Sequence, residues 1–281
     1  MELHKPSLLN KAAKKAAGPL SRLVCGRWAQ RPVRALDAYL NFLMGKGSGT
    51  GWDLDHEIQA ALGRIHRDVP VVFDVGANLG LWSRRLLELK PQARVFLFEP
   101  SPECLKRIEG LHLNTQGIIP AAVGDTVGKA LLHFSSATDG SASLHQRGDS
   151  YFQDRTYQSV EVSVTTLDKV VQERGIDFVD FVKMDIEGHE LSALRGAVGA
   201  LRERKIGGLS FEFGSGNINS RTYFRDFWSL LHQHDFAVYR VTPSGRLLHL
   251  KDYYEDCEYF RGATNYVAEL RNHPFRPGHR E

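Results

Sequence analysis

The chain has 281 residues, 42% of them hydrophobic and 25% charged, a balance that supplies a buried core and excludes a disordered polymer. With 36 Lys and Arg against 33 Asp and Glu the net charge is only +3, which argues against a surface that tracks nucleic acid throughout. The charge is uneven: residues 1 to 50 carry nine basic and two acidic side chains, so the remainder is net negative.

In chain order, residues 8 to 44 read as one or two basic amphipathic helices, suited to packing on the domain or on a second subunit, or to docking on an anionic membrane surface or an acidic partner. Pro19 and Arg22 break the N-terminal apolar patch before it reaches signal-peptide length. The run GKGSGTG at 45 to 51 has the composition of a flexible joint. It divides a basic helical extension, 1 to 50, from a main domain, 51 to 270, and a tail, 271 to 281.

From residue 70 short β-branched runs alternate with helical patterns, the pattern of βα units feeding a mostly parallel sheet. Strands are predicted at 71 to 75, 94 to 99, 118 to 123, 178 to 184, 209 to 213, 236 to 241 and 264 to 270. Helices are predicted at 53 to 66, 79 to 89, 102 to 110, 166 to 174, 188 to 200 and 219 to 233. The runs 128 to 134 and 159 to 165 alternate polar with apolar residues and predict an antiparallel pair inserted between the third and fourth sheet strands. The polar loop between them, 135 to 158, is long enough to close over a site.

In VVFDVGANLG, 71 to 80, an apolar strand runs into Gly76, Asn78 and Gly80 and then a helix, so backbone amides face a crevice at the strand's carboxyl end. The turn is not GxGxxG, and Asp74 sets a carboxylate where a pyrophosphate would have to approach. That arrangement suits a ligand with an ammonium or sulfonium group. Glu99, at the end of the second strand, is placed to accept both hydrogen bonds of a ribose diol. A nucleoside with a cationic amino-acid tail is indicated, and S-adenosylmethionine fits. In FVDFVKMDIEGHELSAL, 178 to 194, a strand delivers Lys183 and Asp185 to the same crevice, and Glu187, His189 and Glu190 open the next helix. One of Glu187 and Glu190 is accounted for by the helix dipole.

These motifs, together with FEPSP (98 to 102), AAVGD (121 to 125), TTLD (165 to 168) and FEF (211 to 213), resemble those of FkbM-type methyltransferases from about residue 70 to 270. The resemblance implies the class I methyltransferase fold, a seven-stranded, mostly parallel sheet with helices on both faces and an antiparallel last strand. It also implies S-adenosylmethionine as cofactor and a hydroxyl acceptor on a sugar, glycolipid or natural product. By the same resemblance Asp74, Gly76 and Asn78 bind the methionine part, Glu99 the ribose and Asp125 the adenine edge, with Ser141 and Ser143 approaching from the insertion.

An alcohol needs its proton removed as the new bond forms. His189 has a suitable unperturbed pKa of roughly 6.5, and Asp185 or Glu212 offers the alternative, with Lys183 as neighbour. The acids at 185 to 190 are oxygen-rich enough to raise Mg²⁺ or Mn²⁺. Adjacent residues at a strand–helix junction diverge, however, so two of them at most converge, and no metal is assigned; Asp185 and Glu187 would be the ligands. Tyr151, Phe152, Tyr253, Tyr254 and the loop 214 to 224 are candidates to frame an acceptor pocket, while Phe224, Phe227, Trp228, His232 and His234 read as packing residues. Cys25, Cys104 and Cys257 lack CxxC spacing, which fits a reducing, cytoplasmic setting. Two other classes share part of the pattern: a nucleotide-dependent oxidoreductase on a similar sheet, and a non-catalytic cofactor-binding protein acting through its basic arm.

Overall fold

A computed structural model describes residues 8–47, 54–136, 138–148 and 156–276. Tyr151 and Phe152 lie outside the described residues, as does most of the 45–51 joint.

One eight-stranded sheet organises the domain, in the order β10 (Leu247–Leu250), β9 (Phe236–Val241), β11 (Ala263–Leu270), β8 (Ile206–Gly214), β7 (Val179–Met184), β1 (Val71–Val75), β2 (Arg94–Phe98), β3 (Gly117–Ile119). Its centre is β1 (Val71–Val75), β7 (Val179–Met184), β2 (Arg94–Phe98) and β8 (Ile206–Gly214), all parallel, with β3 (Gly117–Ile119) parallel at one edge. At the other side β11 (Ala263–Leu270) runs antiparallel between β8 and β9 (Phe236–Val241). Without the edge strand β10 this is the class I methyltransferase order. β1 and β7 are buried along their whole length. Val71, Phe73 and Val75 pack into one apolar core and Val72 into a second on the opposite face, because parallel strands joined by helices are covered on both sides.

Local chemistry explains where the elements differ from expectation. The strand expected over 118 to 123 is split at Pro120, which has no N–H to give the ladder, into β3 and β4 (Ala122–Val123). β4 joins β6 (Gln158–Thr165) and β5 (Gly128–Phe134) in a separate sheet, the expected insertion. The helix expected over 188 to 200 is two, α7 (Glu190–Arg195) and α8 (Val198–Arg202), and that over 219 to 233 is α9 (Gly216–Ser220) and α10 (Phe224–Gln233). β10 (Leu247–Leu250), a short edge strand antiparallel to β9, brings the expected seven strands to eight.

The N-terminal arm is α1 (Leu8–Val24) and α2 (Arg27–Leu43). Where a flexible joint was expected, its first residues are packed on the domain. Buried Lys46 donates to the Asp256 carboxylate at 2.6 Å and to its carbonyl at 2.9 Å, and the Gly47 amide donates to Thr264 Oγ1 at 2.9 Å.

Candidate functional site

The crevice begins where β1 ends. Gly76 has φ +79°, and a Cβ there would stand 2.1 Å from the Asp185 carbonyl oxygen, so only glycine lets the ends of β1 and β7 come this close. Asn78, also left-handed at φ 49°, turns its amide onto Glu99 Oε2 at 2.7 Å, and the Ser101 amide donates to Oε1 at 2.8 Å. Glu99 is thus held from the backbone and lines the cavity. Its burial outweighs these donors and pushes its pKa up to about 7.

Asp74 is placed differently from its expected contact with a ligand. It is fully buried, accepts from Ser83 Oγ at 2.7 Å and pairs with Lys183 Nζ at 3.3 Å. The β1–β7 register sets Asp74 beside Lys183, and neighbours at one level of a sheet share a face. Asp74 is not among the residues lining the cavity. Lys183 also donates to the Gly76 carbonyl at 3.0 Å and lies 3.5 Å from Asp185. Burial works against its charge, but Asp74, Asp185 and Glu57 together raise its pKa above the ordinary lysine value. The pair therefore lies beneath the glycine turn and pins it, while Asp185, its side chain 44% exposed, is the carboxylate that reaches the crevice.

Beyond Asp185 the chain turns sharply, with Glu187 at φ 54° and Gly188 at φ 99°. A Cβ on Gly188 would stand 2.5 Å from the Gly216 carbonyl oxygen, which fixes this turn against the loop after β8. Glu190 is fully buried and accepts from the Ile186 and Gly188 amides, both at 2.9 Å, so it closes the turn. Glu187 and Asp185 do converge, and Glu212 on β8 joins them; among the described residues these three carboxylates each place an oxygen within 4.8 Å of the others. Two of the acids at 185 to 190 were expected to converge, and they do; the third comes from the neighbouring strand. Burial and the Asp185 charge push the Glu187 pKa up to about 8 against the pull of Arg147. Burial followed by Asp185 and Glu187 holds Glu212 well above the carboxylate range.

The 135–148 loop crosses this edge. Ser143 Oγ donates to the Glu187 carbonyl at 2.8 Å, and Arg147, itself buried, pairs with the Glu187 carboxylate and donates to Ser215 Oγ at 2.6 Å. His145 Nε2 meets His189 Nδ1 at 3.0 Å. Burial and His145 pull the His189 pKa down to about 4, which leaves its ring neutral at pH 7 and a weak base. Ser143 and His189 line the cavity; Ser141 is bound to Asp139 within its own loop. Asp125, expected at the adenine edge, sits exposed on the turn after β4 and is outside the cavity lining.

The sequence pattern of the methyltransferase FkbM domain matches residues 74–238. The chain belongs to this family. FkbM methyltransferases depend on S-adenosylmethionine, and this chain is one of them. It is 28% identical over 163 residues to the 2-O-methyltransferase NoeI of Sinorhizobium fredii, covering 51% of this chain and 67% of that protein. It is 27% identical over 133 residues to the hexuronic acid methyltransferase AglP of Haloferax volcanii, covering 47% of this chain and 52% of that protein. The chain thus spans between half and two thirds of the length of these relatives. Solved structures align loosely. An S-adenosylmethionine-dependent O-methyltransferase from Thermotoga maritima is 14% identical with a TM-score of 0.39, covering 78% of this chain and 66% of that one; the strand order itself is the stronger sign of the fold.

The residues present suit the cofactor of an FkbM methyltransferase. The crevice is concave, partly open to solvent and lined by both apolar and polar side chains, as small-molecule sites are. Phe98, Pro100, Ala121, Val123, Leu132 and Phe134 supply an apolar slot for a purine, Glu99 an acceptor for a ribose diol, and Asp185 a carboxylate to match a cationic tail. The sequence patterns did not pick out Glu57, Asn265, His145 or Arg147. Asn265 donates to Glu57 Oε1 at 3.1 Å, and both line a second cavity with Lys183, Asp185 and Glu212. Lone residues on α3 (Leu54–Leu62) and β11, they carry no local signal. Arg147 offered one, a cation in a loop facing an acid-rich turn.

Of the aromatic residues, Tyr253 donates to Glu258 at 2.8 Å and neither it nor Tyr254 lines the crevice. Phe224 and Phe227 are fully buried and His232 stacks on Trp228, all four as packing residues.

Proposed function

We propose that this FkbM methyltransferase methylates a hydroxyl group of a sugar or glycan. The observation that carries this reading is the meeting of Asp185, Glu187 and Glu212 beside the cofactor crevice. Carboxylates accept hydrogen bonds from a polyol and take up a hydroxyl proton, and they repel a nucleic-acid phosphate. The names of NoeI and AglP, a 2-O-methyltransferase and a hexuronic acid methyltransferase, support it.

When bound, S-adenosylmethionine supplies an electrophilic methyl group on a sulfonium. Glu99 would accept from the ribose diol, the Gly76–Asn78 turn would hold the methionine part, and Asp185 would offset its positive charge. Lys183 and Asp74 hold the turn in place. Glu212 takes the hydroxyl proton: its raised pKa makes it a stronger base than an ordinary carboxylate once ionised. His189, with its pKa down at about 4, orients the crevice wall.

The test is transfer from S-adenosylmethionine to a panel of hexoses, uronic acids and their glycosides, with methylated product read by mass spectrometry. A gain of one methyl on a sugar, retained after treatment with EDTA, is expected. A thermal shift with S-adenosylmethionine, about 2.7 kcal/mol at a hundred times its Kd, but no sugar product would overturn the acceptor class and leave the cofactor reading standing. A shift with NAD and none with S-adenosylmethionine would favour an oxidoreductase.

A further inference from the structure

Helix α2 is amphipathic in the reverse sense of an ordinary surface helix. Where it meets the domain it presents polar side chains: Asp37 pairs with Arg261, and Asp37 and Asn41 form one wall of a groove completed by Ser215, Asp256 and Arg261. No residue of α2 is buried. Its apolar side chains are in solvent: Trp28 is 77% exposed, Leu36 and Tyr39 59%, Leu40 49% and Leu43 53%. Leu36, Tyr39, Leu40 and Leu43 stand at i, i+3, i+4 and i+7, one continuous stripe. Trp28 lies two turns earlier.

Charge indicates what covers this stripe. Arg27, Arg31 and Arg34, all exposed, recur at i, i+4 and i+7 on the other side of the helix, and exposed Arg22 precedes them. Asp37 is the single acid between residues 3 and 46, and Arg261 already pairs with it. A two-fold pairing of two such arms through their stripes would leave these arginines on the outside of the pair with no free acid to offset them. An anionic lipid surface complements the whole helix, taking the stripe into the acyl boundary while the long arginines of the polar face stay at the level of its phosphates. Trp28, with Arg31 4.6 Å from its ring centre, is the residue type that settles at headgroup level. The anchoring of Lys46 and Gly47 on the domain means that a docked arm carries the domain with it.

We propose that α2 docks this protein onto anionic phospholipid membranes. The proposal does not depend on the acceptor, and its test uses no activity. The full chain is sedimented with vesicles of phosphatidylcholine alone and with vesicles in which a third of the lipid is phosphatidylglycerol, and Trp28 emission is followed against a Trp28→Phe control. Binding to the anionic vesicles only, with a blue shift absent from the control, is expected. The triple variant Arg27→Glu/Arg31→Glu/Arg34→Glu should weaken partitioning by about a hundredfold, and Leu36→Ser/Leu43→Ser by at least tenfold, each with an unchanged melting midpoint. Either variant binding like the wild type would overturn the proposal. So would failure to bind anionic vesicles, whether the chain is then a monomer or a dimer that Leu36→Ser/Leu43→Ser dissociates by light scattering.

Discussion

At the β1–β2 end of the crevice the polar groups are met by the protein itself, whereas at the β7–β8 end they crowd one another. Glu99 receives two backbone donors and Asp74 a hydroxyl and an ammonium. Across the sheet, Asp185, Glu187 and Glu212 share a space of a few ångströms, with Arg147 pairing Glu187 and Lys183 flanking Asp185. The first arrangement is preorganised: it can receive a ligand without rearranging. In the second, burial and mutual repulsion make Glu187 and Glu212 hold their protons more tightly than ordinary carboxyls, and a cationic ligand favours their ionised forms. Binding of a defined cofactor asks for the former and proton transfer from a weak acid for the latter.

The sharpest way to break this contrast is Glu212→Gln. Loss of a general base costs about 10²- to 10⁴-fold, so kcat should fall by that factor while cofactor affinity, read by thermal shift, stays the same. The same contrast sets the pH profile. Carboxylates with raised pKa values, Glu187 at about 8 among them, must ionise before they accept a proton, so kcat/KM should climb through the neutral range; dependence on His189, at about 4, would leave it flat there.

Next in size is Lys183→Met, which leaves Asp74 buried without its cation. Breaking such a pair costs about 3–5 kcal/mol, to be measured by urea unfolding, and Asp74→Asn in the same chain should restore part of it. Glu99→Gln removes charge-assisted bonds worth about 1.5–3 kcal/mol and should weaken S-adenosylmethionine binding roughly ten- to a hundredfold with little change in kcat. The smallest effect is expected from His189→Ala, less than tenfold in single-turnover transfer; a larger loss would return it to the role of base.

Two buried carboxyls of the folded protein also contribute stability that is lost as pH rises. Glu99 and Glu190 each have pKa values of about 7 in the fold against 4.5 as free side chains, so between those values the unfolded chain releases protons that the folded one keeps. A melting midpoint that gains less, or loses more, from pH 4.5 to pH 7 in the wild type than in Glu99→Gln is the expected outcome.

The β1 and β7 motifs were legible because strand, turn glycine and acid follow one another along the chain. Gly76 and Asn78 have left-handed backbones at the positions where the motif demands them. Less legible was what the side chains then do. Asp74 and Glu99 both read as ligand-facing acids, yet strand register buries the first against Lys183 and leaves the second at the cavity wall. Glu187 and Glu190 are three positions apart and equally acidic, and only the turn decides that Glu190 closes on backbone amides while Glu187 meets Glu212.

By itself the sequence determined the order of strands and helices, the glycine turns and the basic, amphipathic character of the arm, because these follow from local conformational preference and periodicity. Only the tertiary structure decided that Glu212 and Arg147 join Glu187, that β10 extends the sheet, and that α2 turns its polar side to the domain. Each of these is a contact between residues far apart in the chain, set by strand register and by which surfaces remain to be covered once the core is packed.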